Sequence, residues 1–468
     1  MGLFTYFRDP QRVLLLKIDI CLLLWLFIAG IMKELDQSAT TQAYVTGMRE
    51  DLELYGNELV EFNTYFSIGY ALGLVPGQII QTKLRPSLFL PACEIIWGLL
   101  VLFTYRAPNA QTIFVLRFFL GLLSSCFWPS AVSLIANWYK PSELAVRMAI
   151  FNVCDVAGSM FLGALQGALY RNMNGVNGLG GWQWLFIIAG SITIAQGIIG
   201  AFTVPDTPNI TRALWLTKEE KAMAKERMGS FGAETSKLIP VPVLKRKLGQ
   251  LVTSPSTYFF VLSFALMAWS LRATSYFVLY LESIVDSDGN RRFSVYDVNV
   301  IPIGAYALQI VSAISMGALS DWKQWRWQIG ITLSAVYGVF LIVLSSWPPN
   351  ETALLAVYFL TYAVATQFPF LLTWFAEILR REPEARAIII AISVTIVYVG
   401  HATIPLGAFR VSDAPRYPIG FPLTTALAFL AIPTQLGLLF WTRKHPELQE
   451  RGRIQAVDLL NGNDMMDG

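Results

Sequence analysis

The sequence predicts an all-α membrane protein of twelve transmembrane helices arranged as two six-helix halves. Three observations carry that prediction: the composition, the spacing of apolar runs, and a motif that recurs half a chain apart. Of 468 residues, 54% are apolar and 13% aromatic, while only 14% are charged, against about 25% in ordinary soluble domains. Mean hydropathy is +0.50. So little charge cannot cover a water-exposed surface, and a bilayer is the solvent such a surface suits.

The apolar runs fall at 13–33, 59–80, 87–105, 112–136, 147–169 and 182–204, and resume at 256–281, 298–319, 327–347, 353–376, 387–409 and 418–441. Each approaches or exceeds the ~20 helical residues that cross a ~30 Å hydrocarbon core. The first run lacks a small-residue cleavage site and is read as a retained span. The expected organisation is a first half at 1–204, a cytoplasmic central loop at 205–253, a second half at 254–445, and a cytoplasmic tail at 446–468. With both termini cytoplasmic, 25 of the 35 Lys and Arg lie on the inner side and 8, Lys33 among them, on the outer side. Arg117 and Arg272 are intramembrane. This bias sets the expected orientation.

The halves echo each other. Gly77 is followed at +4 and +6 by Gln81 and Lys83; 240 residues later Gly317 is followed by Asp321 and Lys323, then Arg326. Glycine permits a tight helix exit, and acid and base can pin neighbouring helix ends. This set (Gly77, Lys83, Gly317, Asp321, Arg326) is the expected gating motif. Gly69-x-x-x-Gly73-x-x-x-Gly77 and Ser159-x-x-x-Gly163-x-x-x-Gly167 predict close backbone approach, either as static packing or as sliding surfaces. In the central loop, Thr217-Lys-Glu-Glu220 has the form of a capping box opening a surface helix. The Lys245-Arg246-Lys247 cluster beyond it suits lipid headgroups.

Several classes are disfavoured. A net charge of +3 without basic clusters interleaved with aromatics argues against nucleic acid. Two histidines in all, no metal-ligand spacing, no phosphate loop and no nucleophile elbow argue against an enzyme; no cofactor or metal is expected. Cys21, Cys93, Cys126 and Cys154 sit in apolar runs, as packed thiols do. The expected assembly is a monomer in the bilayer.

Charges inside apolar runs carry the functional reading. Arg117 is the sole charge in Thr112–Ala136, where a cation costs ~2.5 kcal/mol or more. It either binds an anionic substrate or braces helices against backbone carbonyls. Asp155, Glu94 and Asp36 are candidate proton carriers, since a carboxyl removed from water exchanges protons nearer neutral pH. Asp155 is favoured because the Gly and Ser residues around it leave room for water, and Asp36 is placed at the outer end of the first span. His401, whose side-chain type titrates near ~6.5 in water, could relay protons or be a satisfied helix residue.

Local motifs sharpen this. Lys17-Ile-Asp19, Gln42-Ala-Tyr-x-x-Gly47-Met-x-Glu-Asp51-Leu, Trp97-Gly98, Arg117-Phe-Phe, Trp138-Tyr-Lys, Glu143-Leu, Arg147-x-Ala-Ile-Phe and Asn174-Gly-x-Asn-Gly-Leu-x-Gly-Trp182 occur in order. This pattern resembles the fungal pantothenate transporters of the anion:cation symporter (allantoate permease) family within the major facilitator superfamily. The resemblance is dense over 17–188 and thin afterwards. It implies the major facilitator fold and proton-coupled uptake of small organic anions, such as pantothenate, across the plasma membrane. It also implies a central cavity flanked by the first and seventh spans, which makes Arg272 a candidate substrate contact beside Arg117. The chain departs from the family at Asp36-Gln37, where Asp-Arg is usual, with Lys33 and Glu34 just before. It departs again at Asp155, Glu94 and Arg272, where small or uncharged residues are usual. Lys33 is therefore a third candidate substrate cation. An exporter of a fungal secondary metabolite, working by proton antiport, remains the alternative.

Overall fold

The computed structural model describes residues 9–229, 254–285, 291–323, 325–378 and 383–445. All twelve predicted runs are helical within it. Eleven helical segments are long and apolar enough to cross a membrane: Pro10–Asp51, Pro86–Arg106, Ala110–Trp138, Ile150–Met173, Gly181–Thr203, Pro255–Ser283, Val295–Ser320, Arg326–Ser346, Glu351–Phe375, Ile389–Ala408 and Gly420–Lys444. Glu58–Lys83 is the remaining, second span. Helix starts follow local chemistry. The Asn109 and Asn350 side chains accept from the backbone N–H groups of Thr112 (3.0 Å) and Ala353 (3.2 Å), and Pro86 and Pro255 open their helices where no N–H is needed.

The first span departs most from expectation. The apolar run was to stop at residue 33, yet helix continues to Asp51. Lys33, expected on the outer side, and Asp36, expected at the span's end, are instead interior residues of this helix, 7% and 2% exposed. Hydropathy ended the run at the first charges, but neighbouring helices bury those charges and the helix carries on. Two wide π-type turns interrupt it, at Asp19–Leu23 and Tyr44–Met48. In the second, Gly47 has φ +112°, a conformation that side chains rarely adopt. The kink is held by Thr46 Oγ1, which donates to the Gln42 carbonyl (2.8 Å) and accepts from Gln166 Nε2 (2.5 Å). A Gly47→Ala variant is expected to lose roughly 1–2 kcal/mol of stability, read as a melting midpoint several degrees below wild type in purified protein.

Two compact units emerge from the contacts: residues 1–238, 278–307 and 401–415 form one, and 239–277, 308–400 and 416–468 the other. In the first unit, glycines set the packing. A methyl at Gly69 or Gly73 would strike the Phe118 or Leu122 carbonyl, and one at Gly121 the Phe66 carbonyl. The second and fourth spans therefore touch backbone to backbone, as the small-residue spacing predicts. Gly77 packs on Cys126. Gly163 and Gly167 meet the eighth span instead: added methyls would lie 2.6 Å from the Asn299 carbonyl and 3.2 Å from Val300. On that side of the unit, away from Pro10, Thr64 Oγ1 also donates to the Ala402 carbonyl (3.1 Å), and Asn57 Oδ1 accepts from the Val411 N–H (3.0 Å). Arg291 reaches Glu282 (3.1 Å) and Glu50 (3.8 Å).

The side of this unit carrying Pro10 is laced by ion pairs. Lys17 binds Glu220 (2.7 Å), Arg147 forks onto both oxygens of Asp19 (3.2 and 3.0 Å), and Arg227 pairs with Glu143. The predicted capping box forms: the Glu220 N–H donates to Thr217 Oγ1 (3.2 Å) and the Thr217 N–H to Glu220 Oε2 (2.9 Å). It opens the helix Lys218–Gly229, which the Lys17–Glu220 and Arg227–Glu143 pairs fasten to the rest of the first unit. The Lys245-Arg246-Lys247 cluster and the segment after His445 lie outside the described residues.

The second unit has an apolar core in which Phe260 stacks on Phe375 (ring centroids 3.5 Å), with Phe264, Leu371, Trp374 and Leu438 around them. Its seventh span is discontinuous. α-Helix stops at Ser270, a 3-10 stretch covers Leu271–Tyr276, and α-helix resumes at Phe277. Carbonyls freed inside a membrane must find donors. Tyr337 donates to the Ser270 carbonyl (3.2 Å), and Tyr362 approaches that of Thr274 (3.4 Å).

Candidate transport site

Two buried clusters and one half-buried arginine hold most of the interior charges predicted from sequence. The first surrounds Arg117, which is 3% exposed. Its guanidinium donates to the Asp36 carbonyl (3.3 Å), the Gln37 carbonyl (2.9 Å) and Asn63 Oδ1 (3.3 Å), and lies 4.8 Å from the Phe66 ring centroid. It joins the fourth span to the first and second, the bracing geometry among the two considered from sequence. The Asp36 carboxylate beside it accepts through Oδ2 from Trp97 Nε1 (3.2 Å) and Thr193 Oγ1 (2.9 Å). Glu94, one turn before Trp97, is 1% exposed, and neither of its carboxyl oxygens has a hydrogen-bond partner among the described residues.

The second lies between the first and fifth spans. Lys33 Nζ stands 3.8 Å from Glu34 Oε2. Glu34 Oε1 accepts from Ser38 (2.9 Å) and Ser159 (3.4 Å). Asp155 is half-buried on the fifth span and interacts electrostatically with Glu34. Gly158, near Asp155, serves close packing: a methyl there would lie 2.8 Å from the Ile31 carbonyl and 2.9 Å from Glu34 Cβ. Glu34 was not among the sequence candidates. Its signal is present, a serine four residues on and a lysine beside it, but the apolar run ends at residue 33 and leaves it out.

The third is Arg272, in the 3-10 break of the seventh span. It is half-buried, and its buried Nε has no acceptor among the described residues. Tyr276, one turn on, is the phenol with which it interacts electrostatically. Arg117 and Arg272 thus share a buried Nε without an acceptor among the described residues, but Arg117 also commits its Nη1 and Nη2 to two carbonyls and Asn63.

The remaining candidates are dispersed. His401 is half-buried in the eleventh span, next to Ala402, whose carbonyl holds Thr64. Gly77 is buried, whereas a methyl at Gly317 would meet no described residue within 4 Å. Arg326 donates to Ser320 Oγ (3.0 Å), closing the turn between the eighth and ninth spans. Lys83 and Asp321 are helical, but their side chains lie outside what is described.

The family-like motifs converge where sequence could not place them. Lys17, Asp19, Tyr139, Glu143 and Arg147 meet on one side of the membrane span, the Arg147 guanidinium lying 5.0 Å from the Tyr139 ring centroid. On the other side, Trp182 Nε1 donates to Asp51 Oδ2 (2.6 Å). The Asn174-to-Leu179 loop supplies the turn before Trp182, with positive φ at Gly175, Asn177 and Gly178.

Twelve spanning helices with charged groups held in their interior and a broken seventh helix define a membrane transporter. Residues 25–405 match the Major Facilitator Superfamily, and the chain belongs to that superfamily. It is 34% identical to the MFS transporter PfmaC of Pestalotiopsis fici, over 95% of this chain and 82% of that one. It is 29% identical to the pantothenate transporter FEN2 of Saccharomyces cerevisiae, over 97% and 88%. The fold is similar to the xylose transporter XylE of E. coli in a partially occluded inward open conformation. There the TM-score is 0.65 at 14% identity, over 89% of this chain and 98% of that one.

Proposed function

We propose that this protein is a proton-coupled importer of a small organic anion of the pantothenate class, working by alternating access in the plasma membrane with both termini in the cytoplasm. The observation that carries the reading is Arg272, a half-buried guanidinium at a helix break, with no acceptor for its buried Nε among the described residues. A carboxylate is the ligand its fork geometry fits, and broken helices are where transporters of this kind bind substrate. Likeness to a vitamin transporter supports the substrate class. Lys33 and Arg117 add positive potential in the first half. Asp36, Glu94, Asp155 and His401 are the titratable groups from which coupling is drawn.

In this reading the halves at 1–204 and 254–445 are the moving bodies, and the central loop at 205–253 ties them. Opening to the outside requires release of the Arg291–Glu50 and Thr64–Ala402 contacts, while the Gly77, Lys83 and Gly317, Asp321, Arg326 motifs govern the inner side. The test is uptake of labelled pantothenate and related carboxylates in cells lacking their own carrier. Uptake that rises as external pH falls and collapses with a protonophore is the expected result. No acid-stimulated uptake of any anion, with efflux of a metabolite instead, would overturn import in favour of export.

A further inference from the structure

Coupling requires a group that is loaded with a proton on one side and emptied on the other. The interior of the first unit holds two carboxyls suited to sharing one. Among the described residues, Glu94 is 1% exposed with both oxygens unpartnered, and Asp36 is 2% exposed with Oδ1 unpartnered. The Trp97 indole, one turn from Glu94, donates to Asp36 Oδ2, and the two carboxyls interact electrostatically.

The charged and titratable groups around them are few. The fourth span contributes Arg117, whose charge acts on Asp36 while its N–H groups serve carbonyls and Asn63. The first span contributes Lys33 and Glu34, which face each other, and the fifth contributes Asp155 against Glu34. The third span adds the Cys93 thiol next to Glu94, and the sixth adds the neutral Thr193. Arg117 therefore offsets one carboxylate and not two. A second negative charge here would be buried without donor or counter-ion among the described residues, and carboxyls that interact strongly titrate as a pair.

We propose that Asp36 and Glu94 form one proton-binding site, holding a single shared proton while Arg117 balances the remaining charge. This rests on the proton-coupled reading and gives it a carrier. Loading adds a proton to a Glu94 oxygen, and emptying returns it to water; no other bond changes. Asp36 keeps its hydrogen bonds to Trp97 and Thr193 throughout.

The test uses the full chain in lipid nanodiscs and infrared difference spectra across pH. Wild type is expected to show a buried carboxylic-acid C=O band that disappears as pH rises. Glu94→Gln, nearly isosteric, removes that band; Glu94→Asp retains it; Asp36→Asn shifts its frequency and titration midpoint. A band that all three substitutions leave unchanged would overturn the proposal. So would a band that disappears on exchanging choline chloride for sodium chloride at constant pH, which would mark a metal-cation site. In cells, Glu94→Gln is expected to lower acid-driven pantothenate accumulation at least ~10-fold while sparing counterflow exchange, which needs no net proton movement. A titrating band with pH-independent wild-type uptake would refute the coupled reading alone; acid-driven uptake without the band would refute the site alone.

Discussion

Arg272→Ala is expected to raise the KM for pantothenate uptake by ~10–100-fold, the equivalent of one charge-assisted hydrogen-bond set of ~1.5–3 kcal/mol. The amount of folded transporter in the membrane should not change, because no carbonyl or acid among the described residues depends on the buried Nε. The freed carbonyls of the break are held by Tyr337 and Tyr362, not by Arg272. Arg272→Lys keeps the charge but loses the planar fork, and should fall between the two. The checking measurement is concentration-dependent uptake alongside surface quantification. Unchanged KM in both variants would remove Arg272 from the substrate site.

Arg117→Ala should behave in the opposite way. Its guanidinium joins three spans through two backbone carbonyls and Asn63, beside the buried Asp36. Leaving buried acceptors without their charged donor costs about 1–3 kcal/mol each. The expected outcome is a sharp loss of folded protein on size exclusion, and a depressed melting midpoint in whatever survives. Arg117→Lys, a point charge without the fork, should recover little. A variant that folded like wild type with only a weakened KM would restore Arg117 to the substrate site and displace the bracing role.

Much of the fold was legible because membrane helices write themselves as apolar length. All twelve runs were correctly located, and the Gly69-x-x-x-Gly73 spacing correctly forecast backbone contact, because only the absence of a side chain permits it. The chemistry was harder. Hydropathy cannot tell a charge that ends a span from one a bundle encloses, so Lys33 falls on the outer side, Asp36 at the outer end of the span, and Glu34 among no candidates. The break in the seventh span leaves no Gly or Pro in Leu271–Tyr276. It is tolerated because hydroxyls from the ninth and tenth spans satisfy the carbonyls it frees.

The sequence by itself determined that this chain spans a membrane twelve times, that a few charges stay in the interior, and which superfamily its motifs resemble. Only the tertiary structure decided what those charges do. Arg117 and Arg272 look alike in their apolar runs. Neighbours supplied by other helices commit the Nη1 and Nη2 of the first to carbonyls and Asn63, although the buried Nε of each lacks an acceptor among the described residues. A hydrogen bond between residues eighty positions apart is a property of packing, and no local pattern encodes it.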